Sequence, residues 1–146
     1  MIKEFNKRYF FLSNFYERPV EFEGKTYGSN EAAFQAQKAP SYKNRFIVLP
    51  PNEAKALGRA LPLRKDWEKV KDDIMYRICL AKFTQNPDLA KRLLDTGDEI
   101  LEEGNTWHDT YWGVDLKTGE GKNMLGSILM RVRNELRIKS NHEVEK

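Results

Sequence analysis

Apolar and polar positions change their spacing several times along the chain. Residues 20–27, VEFEGKTY, alternate around Gly24-Lys25, which predicts a short hairpin. Residues 9–16, YFFLSNFY, form an aromatic run ending in turn-forming residues, and predict an extended or turn segment. After Ser29 the period lengthens. Ser29 offers an N-cap to a helix over 30–39, which Pro40 would end. Residues 41–49 predict a short helix, and 50–61, PPNEAKALGRAL, predict another with prolines at its start and Gly58 near its end. The clearest helix is 66–84, where Trp67, Val70, Ile74, Ile78 and Phe83 make an apolar stripe, with Met75 and Cys79 alongside. A short helix at 87–95 closes on Thr96-Gly97. Residues 99–103 and 111–116 predict strands. A last long helix over 123–138 follows the Gly-rich TGEGKN, and a polar C-terminal tail, 139–146, should fray. The expected fold class is mainly α (α+β): a compact single domain, 1–138, of several helices with a few short strands.

Composition narrows the chemistry. A length of 146 residues with 40% apolar side chains suits one domain with a real core. The net charge of +3 is compatible with an anionic ligand without demanding nucleic acid. A single cysteine, Cys79, excludes an internal disulfide and a Cys-rich metal site, and two histidines are too few for an ordinary zinc site. No metal and no cofactor are expected. No apolar run of about 18 residues suggests a membrane span, and residues 1–10 lack the apolar core of a signal peptide. These features lead to the expectation of a soluble cytoplasmic domain.

Five stretches carry candidate chemistry. In SNEAAFQAQK, 29–38, Glu31, Gln35 and Lys38 fall within an arc of about 60° on the helix, where an amphipathic helix would carry Leu or Ile. Phe34 borders the arc, and Ala32, Ala36 and Ala39 line an adjacent side, small enough for close helix approach. The stripe is either a solvated face or the floor of a cavity. In EGNTWHDTYWGVD, 103–115, two tryptophans surround Asp109, which suits stacking on a flat ring or, equally, a plugging loop with Asp109 capping a turn. His108 reads as a surface or capping residue. GEGKNMLGSILM, 119–130, places Lys122 at a helix start whose N–H groups would suit an anion or merely begin a helix, and it matches neither a P-loop nor a dinucleotide fingerprint. In LRKDW, 63–67, Asp66 would cap the long helix and Trp67 sit in its first turn. In FLSNFY, 11–16, Ser13, Asn14 and Phe15 lie where a ribose or base edge is gripped, or in an ordinary turn.

In combination these stretches resemble the NADAR family of YbiA-like N-glycosidases. FLSNFY, GKTYGSNEAAFQAQK, LGR…LRKDWEKVKDDIM, KFTQNPDLAKRLLDTGDEILEEGNTWHDTYWGVD and GKNMLGSILMRVRNEL occur in the family's order over about residues 10–136. Ala32 stands where many relatives carry a histidine, so no histidine role is expected there; Glu31 is kept. The resemblance implies a mainly α domain that hydrolyses an N-glycosidic bond at ribose C1. It implies catalytic roles for Glu31, Lys38 and Asp109. Substrate contacts follow from Ser13, Asn14, Phe15, Gln35, Trp67, Trp112, Gly113, Lys122 and Asn123.

A carboxylate suits this reaction because cleavage builds positive charge on the sugar. A lysine amine in a dry site suits attack at C1 to give a Schiff base; Lys38 would otherwise orient Glu31 or touch phosphate. The expected substrate is ADP-ribose on guanine in DNA or RNA. One alternative is a ribosylamino-pyrimidine phosphate of early riboflavin synthesis. The other is a non-catalytic ADP-ribose or NAD-binding module.

Overall fold

The computed structural model describes residues 1–145, with side chains to residue 142. It is 55% helical with short strands, in agreement with the mainly α expectation. The chain divides into two units, Asn14–Gln85 and Met1–Ser13 with Asn86–Lys146.

In the Asn14–Gln85 unit, β1 (Glu17–Phe22) pairs antiparallel with β2 (Lys25–Ser29) across a turn at Glu23-Gly24. The pairing sets Val20 opposite Tyr27, both buried, as alternation requires. Ser29 leaves the strand as an extended residue, and its Oγ accepts the Ala32 N–H at 3.1 Å, so α1 (Asn30–Lys38) begins where the sequence places it. The helix is buried on every side through Gln37. It packs on both strands, on a 3₁₀ helix (Pro40–Phe46), on α2 (Pro51–Ala60) and on α3 (Trp67–Gln85). Such enclosure requires small side chains: Ala32, Ala33 and Ala36 are fully covered. Helix α3 contributes Ile74, Met75, Ile78, Cys79 and Phe83 to this core. It also buries Lys82, whose amine lies 5.5 Å over the Tyr16 ring and is drawn down to about 8, chiefly by loss of solvent.

In the other unit, residues 7–12 form a 3₁₀ helix (Lys7–Leu12) where the aromatic run predicts an extended or turn segment. Helix α4 (Pro87–Leu94) buries Leu89 and Leu93, one turn apart. The strand expected over 99–103 reduces to a bridge between Ile2 and Leu101. That expected over 111–116 reduces to β4 (Val114–Asp115), paired in parallel with β3 (Gly104–Asn105). Helix α5 (Met124–Glu145) buries Leu125, Ile128, Leu129, Val132 and Leu136 along one stripe. Its buried Arg133 donates to Thr96 Oγ1 and to the Glu99 carbonyl, both at 2.9 Å. The helix runs past Ile138, so residues 139–145 continue it instead of fraying; Lys146 lies outside the described residues. Polar residues extend a helix through backbone hydrogen bonds alone, which apolar periodicity cannot reveal. Among the described residues, no helix is long and apolar enough to cross a membrane.

The Ser29 cap sets the first turn that carries Glu31. Ser29→Ala is expected to cost about 1 kcal/mol of unfolding free energy in urea, with Ser29→Thr recovering most of it. Equal stability of the alanine variant would show that tertiary packing alone sets the start of α1.

Candidate active site

The polar stripe of α1 is not a solvated face. Glu31 is 7% and Gln35 4% exposed, and Lys38 lies two turns from Glu31 at the end of the helix. Gln35 Nε2 donates to Glu31 Oε1 at 2.8 Å, an i,i+4 bond inside the core. Burial pushes the Glu31 carboxyl above the usual carboxylate range, against the opposing pull of Gln35, Lys55, Lys38 and Arg59. Burial likewise draws the Lys38 amine below the usual lysine range. Glu31 opposes that shift, while Arg59, Lys55 and Lys71 add to it.

The Lys38 amine makes no hydrogen bond or ion pair among the described residues. It lies 5.7 Å from the Phe34 ring centroid and 5.8 Å from that of Trp67. The two rings meet at 5.0 Å, tilted by 56°. Local backbone geometry builds this ledge. Arg64 N–H donates to the Lys38 carbonyl at 2.9 Å, closing the end of α1, and Trp67 N–H donates to the Arg64 carbonyl at 3.3 Å as α3 begins. The Asp66 carboxylate, expected as a helix cap, instead grips Arg64 through Nε at 2.6 Å and Nη2 at 2.9 Å. The segment LRKDW therefore places Trp67, 5% exposed, beside the lysine.

Two more candidates of this unit are Asn14, which bonds the Glu31 backbone, and Phe15, which meets Lys55. The Asn14 carbonyl accepts the Glu31 N–H at 2.9 Å, while its side chain engages Asn30 and Met75. Phe15 lies under the Lys55 amine at 5.7 Å. Sequence reasoning passed over the helix that completes the site. A Cβ on Gly58 of α2 would stand 2.0 Å from Gln35 Oε1 and 3.3 Å from its Cβ, so a side chain there would push aside the amide that holds Glu31. The same helix brings Lys55 and Arg59, whose charges reach both Glu31 and Lys38. A glycine inside a helical pattern, flanked by cations four residues apart, was the available signal.

The remaining candidates lie in the other unit and form a knitted loop. Ser13 ends its first 3₁₀ helix. Asp109 Oδ1 accepts the N–H groups of Tyr111 at 3.1 Å and Trp112 at 2.9 Å, a turn cap, and Oδ2 makes no hydrogen bond among the described residues. Asn105 holds Asp109 through both its backbone groups. His108 Nδ1 bonds Asp115 Oδ2. Gly113 is required because a Cβ there would stand 2.1 Å from the Glu103 carbonyl. Trp112 packs edge-on against Tyr111, and the Lys122 amine lies 5.3 Å over the Tyr111 ring. The N–H groups of Lys122, Asn123, Met124 and Leu125, expected to be open to an anion, donate to the carbonyls of Thr110, Gly113, Tyr111 and Trp112. Asn123 adds side-chain bonds to the Glu103 N–H and the Leu101 carbonyl. These donors hold the loop together.

Known proteins resemble this chain in sequence and in fold. Residues 2–137 match the NADAR domain. N-glycosidase YbiA of Escherichia coli strain K12 is 42% identical over 132 residues, covering 87% of this chain and 81% of the relative. An N-glycosidase of Nostoc punctiforme is 38% identical over 134 residues, covering 86% and 85%. A riboflavin biosynthesis protein of Vibrio vulnificus is 38% identical over 131 residues, covering 86% of this chain and 35% of that protein. The NMR structure of E. coli YbiA superposes with a TM-score of 0.83 at 36% identity, covering 96% of this chain and 89% of that one.

Two outcomes follow from the buried pair. Gly58→Ala should lose about 1–3 kcal/mol by forcing Gln35 aside, and adding Gln35→Ala should return part of it in thermal melts. Strict additivity of the two changes would disprove the contact. The second concerns charge. The folded pKa of Glu31 lies above its unfolded one, so its contribution to stability is present at low pH and lost as pH rises through the folded value. Glu31→Gln and wild type should therefore melt alike near about pH 4, and the variant should melt higher at neutral pH. A variant that melts lower at neutral pH would mean that the surrounding cations outweigh burial.

Proposed function

The chain belongs to the NADAR family and is an N-glycosidase, and we propose that the bond it hydrolyses joins ribose C1 to guanine in ADP-ribosylated nucleic acid. The carrying observation is the pairing on α1 of a buried carboxyl raised in pKa with an amine lowered in pKa and left without a hydrogen bond. Each is shifted toward its neutral form, which is the form that acid catalysis and nucleophilic attack require.

As the C1–N bond breaks, its electron pair leaves with the base, and Glu31 gives that base its proton. The Lys38 nitrogen bonds to C1. The ring oxygen then leaves C1, taking a proton from the amine, so that an iminium joins Lys38 to an opened ribose. Water adds at C1, the amine departs, and the released proton returns to Glu31. The intermediate pairs an iminium cation with the Glu31 carboxylate inside one dry helix contact, where their attraction is strong. Trp67 and Phe34, both buried, pack against each other beside the Lys38 amine and wall that side of it.

Cations outnumber acids around Lys38, which supports a substrate with more than one phosphate. The second reading, hydrolysis of a ribosylamino-pyrimidine phosphate, is favoured by the name of the Vibrio relative. We place either reaction in the cytoplasm, where a reduced thiol such as Cys79 persists.

An oligonucleotide carrying ADP-ribosyl-guanine and the ribosylamino-pyrimidine phosphate are to be offered in parallel, with products read by mass spectrometry. Release of ADP-ribose from the oligonucleotide is expected, with Glu31→Gln slower by about 10²–10⁴-fold. Borohydride added during turnover should leave a sugar adduct on Lys38. Cleavage of the pyrimidine alone moves the enzyme to metabolite chemistry, and turnover by Lys38→Ala at the wild-type rate removes the covalent step.

A further inference from the structure

Helix α2 places Lys55 and Arg59 one turn apart, hence on one face. That helix is held against α1 where Gly58 meets Gln35, so the residue next to Gly58 has a defined place relative to Glu31. Arg59 is exposed, and its guanidinium makes no hydrogen bond, ion pair or ring contact among the described residues. Lys55 is half-buried over Phe15. A planar fork of five donors left unengaged, beside a second cation and a buried acid, is a poor arrangement for stability alone. Like charges gathered there repel, and the Glu31 carboxyl, raised in pKa by its burial, forms no ion pair with them. An arriving anion relieves that repulsion. The fork geometry matches the oxygens of a phosphate, which it contacts through two parallel N–H···O bonds.

We propose that Arg59, with Lys55, forms the subsite on α2 that takes a phosphate group of the substrate. The proposal rests on the N-glycosidase reading for its substrate and on the α1–α2 packing for its place. A phosphate seated there brings negative charge toward Lys38, and the sugar carrying it is oriented along the helix that bears Glu31. The groups around Lys38 divide accordingly: Glu31 and Lys38 on α1 carry the reaction, Lys55 and Arg59 on α2 hold the anion, and Lys71 on α3 adds positive field. Either a ribose monophosphate or a diphosphate supplies the required chemistry, and the two are separated by the probes below.

The test reads binding and turnover independently. Titration calorimetry of inorganic phosphate and of pyrophosphate would be run on wild type, Arg59→Ala and Arg59→Lys at fixed low salt. Arg59→Ala is expected to weaken the preferred anion by at least about tenfold, with Arg59→Lys intermediate because a point charge replaces a fork. Tighter pyrophosphate than phosphate assigns a diphosphate, and the reverse assigns a monophosphate. Kinetics would then compare an N-riboside with and without its phosphate. The loss of kcat/KM in Arg59→Ala should be at least about tenfold larger for the phosphorylated form. Equal anion affinity in wild type and Arg59→Ala overturns the subsite, as does an equal kinetic loss on both substrates. If wild type cleaves no N-riboside yet binds pyrophosphate through Arg59, the subsite stands and the proposed reaction falls.

Discussion

The Asn14–Gln85 unit is organised around one unfavourable act, the burial of the Glu31 carboxyl. An isolated ionised carboxylate in a protein interior is costly enough that the group holds its proton instead. The remainder of the unit fits that constraint. Alanines let neighbouring elements close on α1 from every side, Gln35 gives the carboxyl a hydrogen bond within its own helix, and the Asn14 carbonyl takes up the Glu31 N–H. Gly58 removes the one side chain that would break this arrangement. The cations nearby pull the Glu31 pKa down but do not bond to it, and burial still leaves it above the usual carboxylate range. A fully formed ion pair with Lys38 would have given a stable site with neither an acid nor a nucleophile in it.

Much of this was legible because its signals are local. The hairpin, the Ser29 cap, the end of α1 before Pro40 and the body of α3 each depend on residues within a few positions of one another. Where the outcome depends on more distant contacts, sequence patterning did less well. The aromatic run over 9–16 reads as an extended or turn segment without choosing between them, and its first residues close into a 3₁₀ helix. Two of the expected strands shrink to one- or two-residue pairings because the chain at 99–116 is tied by side chains such as Asn105, Asp109 and Asn123 rather than by a ladder.

For the site itself, composition and period identified the stripe but not its direction. The same residues, Glu31, Gln35 and Lys38, satisfy a solvated face and a buried one equally well; only the packing of α2 and α3 over them decides. Likewise a glycine before an arginine in α2 reads as a weak helix end. Its meaning appears when Gln35 is seen against it.

The division of labour proposed for α1 and α2 follows from what each environment permits. Reacting groups benefit from a dry, enclosed helix, where burial moves both pKa values toward neutrality. Anion-binding groups need the opposite: a guanidinium keeps its charge at any physiological pH and so tolerates an exposed rim, where a phosphate reaches it without being stripped of all its water. A lysine at the rim and an arginine in the core would serve neither purpose, since the arginine could not release its proton to become a nucleophile. A half-buried Lys38 and an exposed Arg59 are therefore the assignment that the chemistry of the two side chains favours.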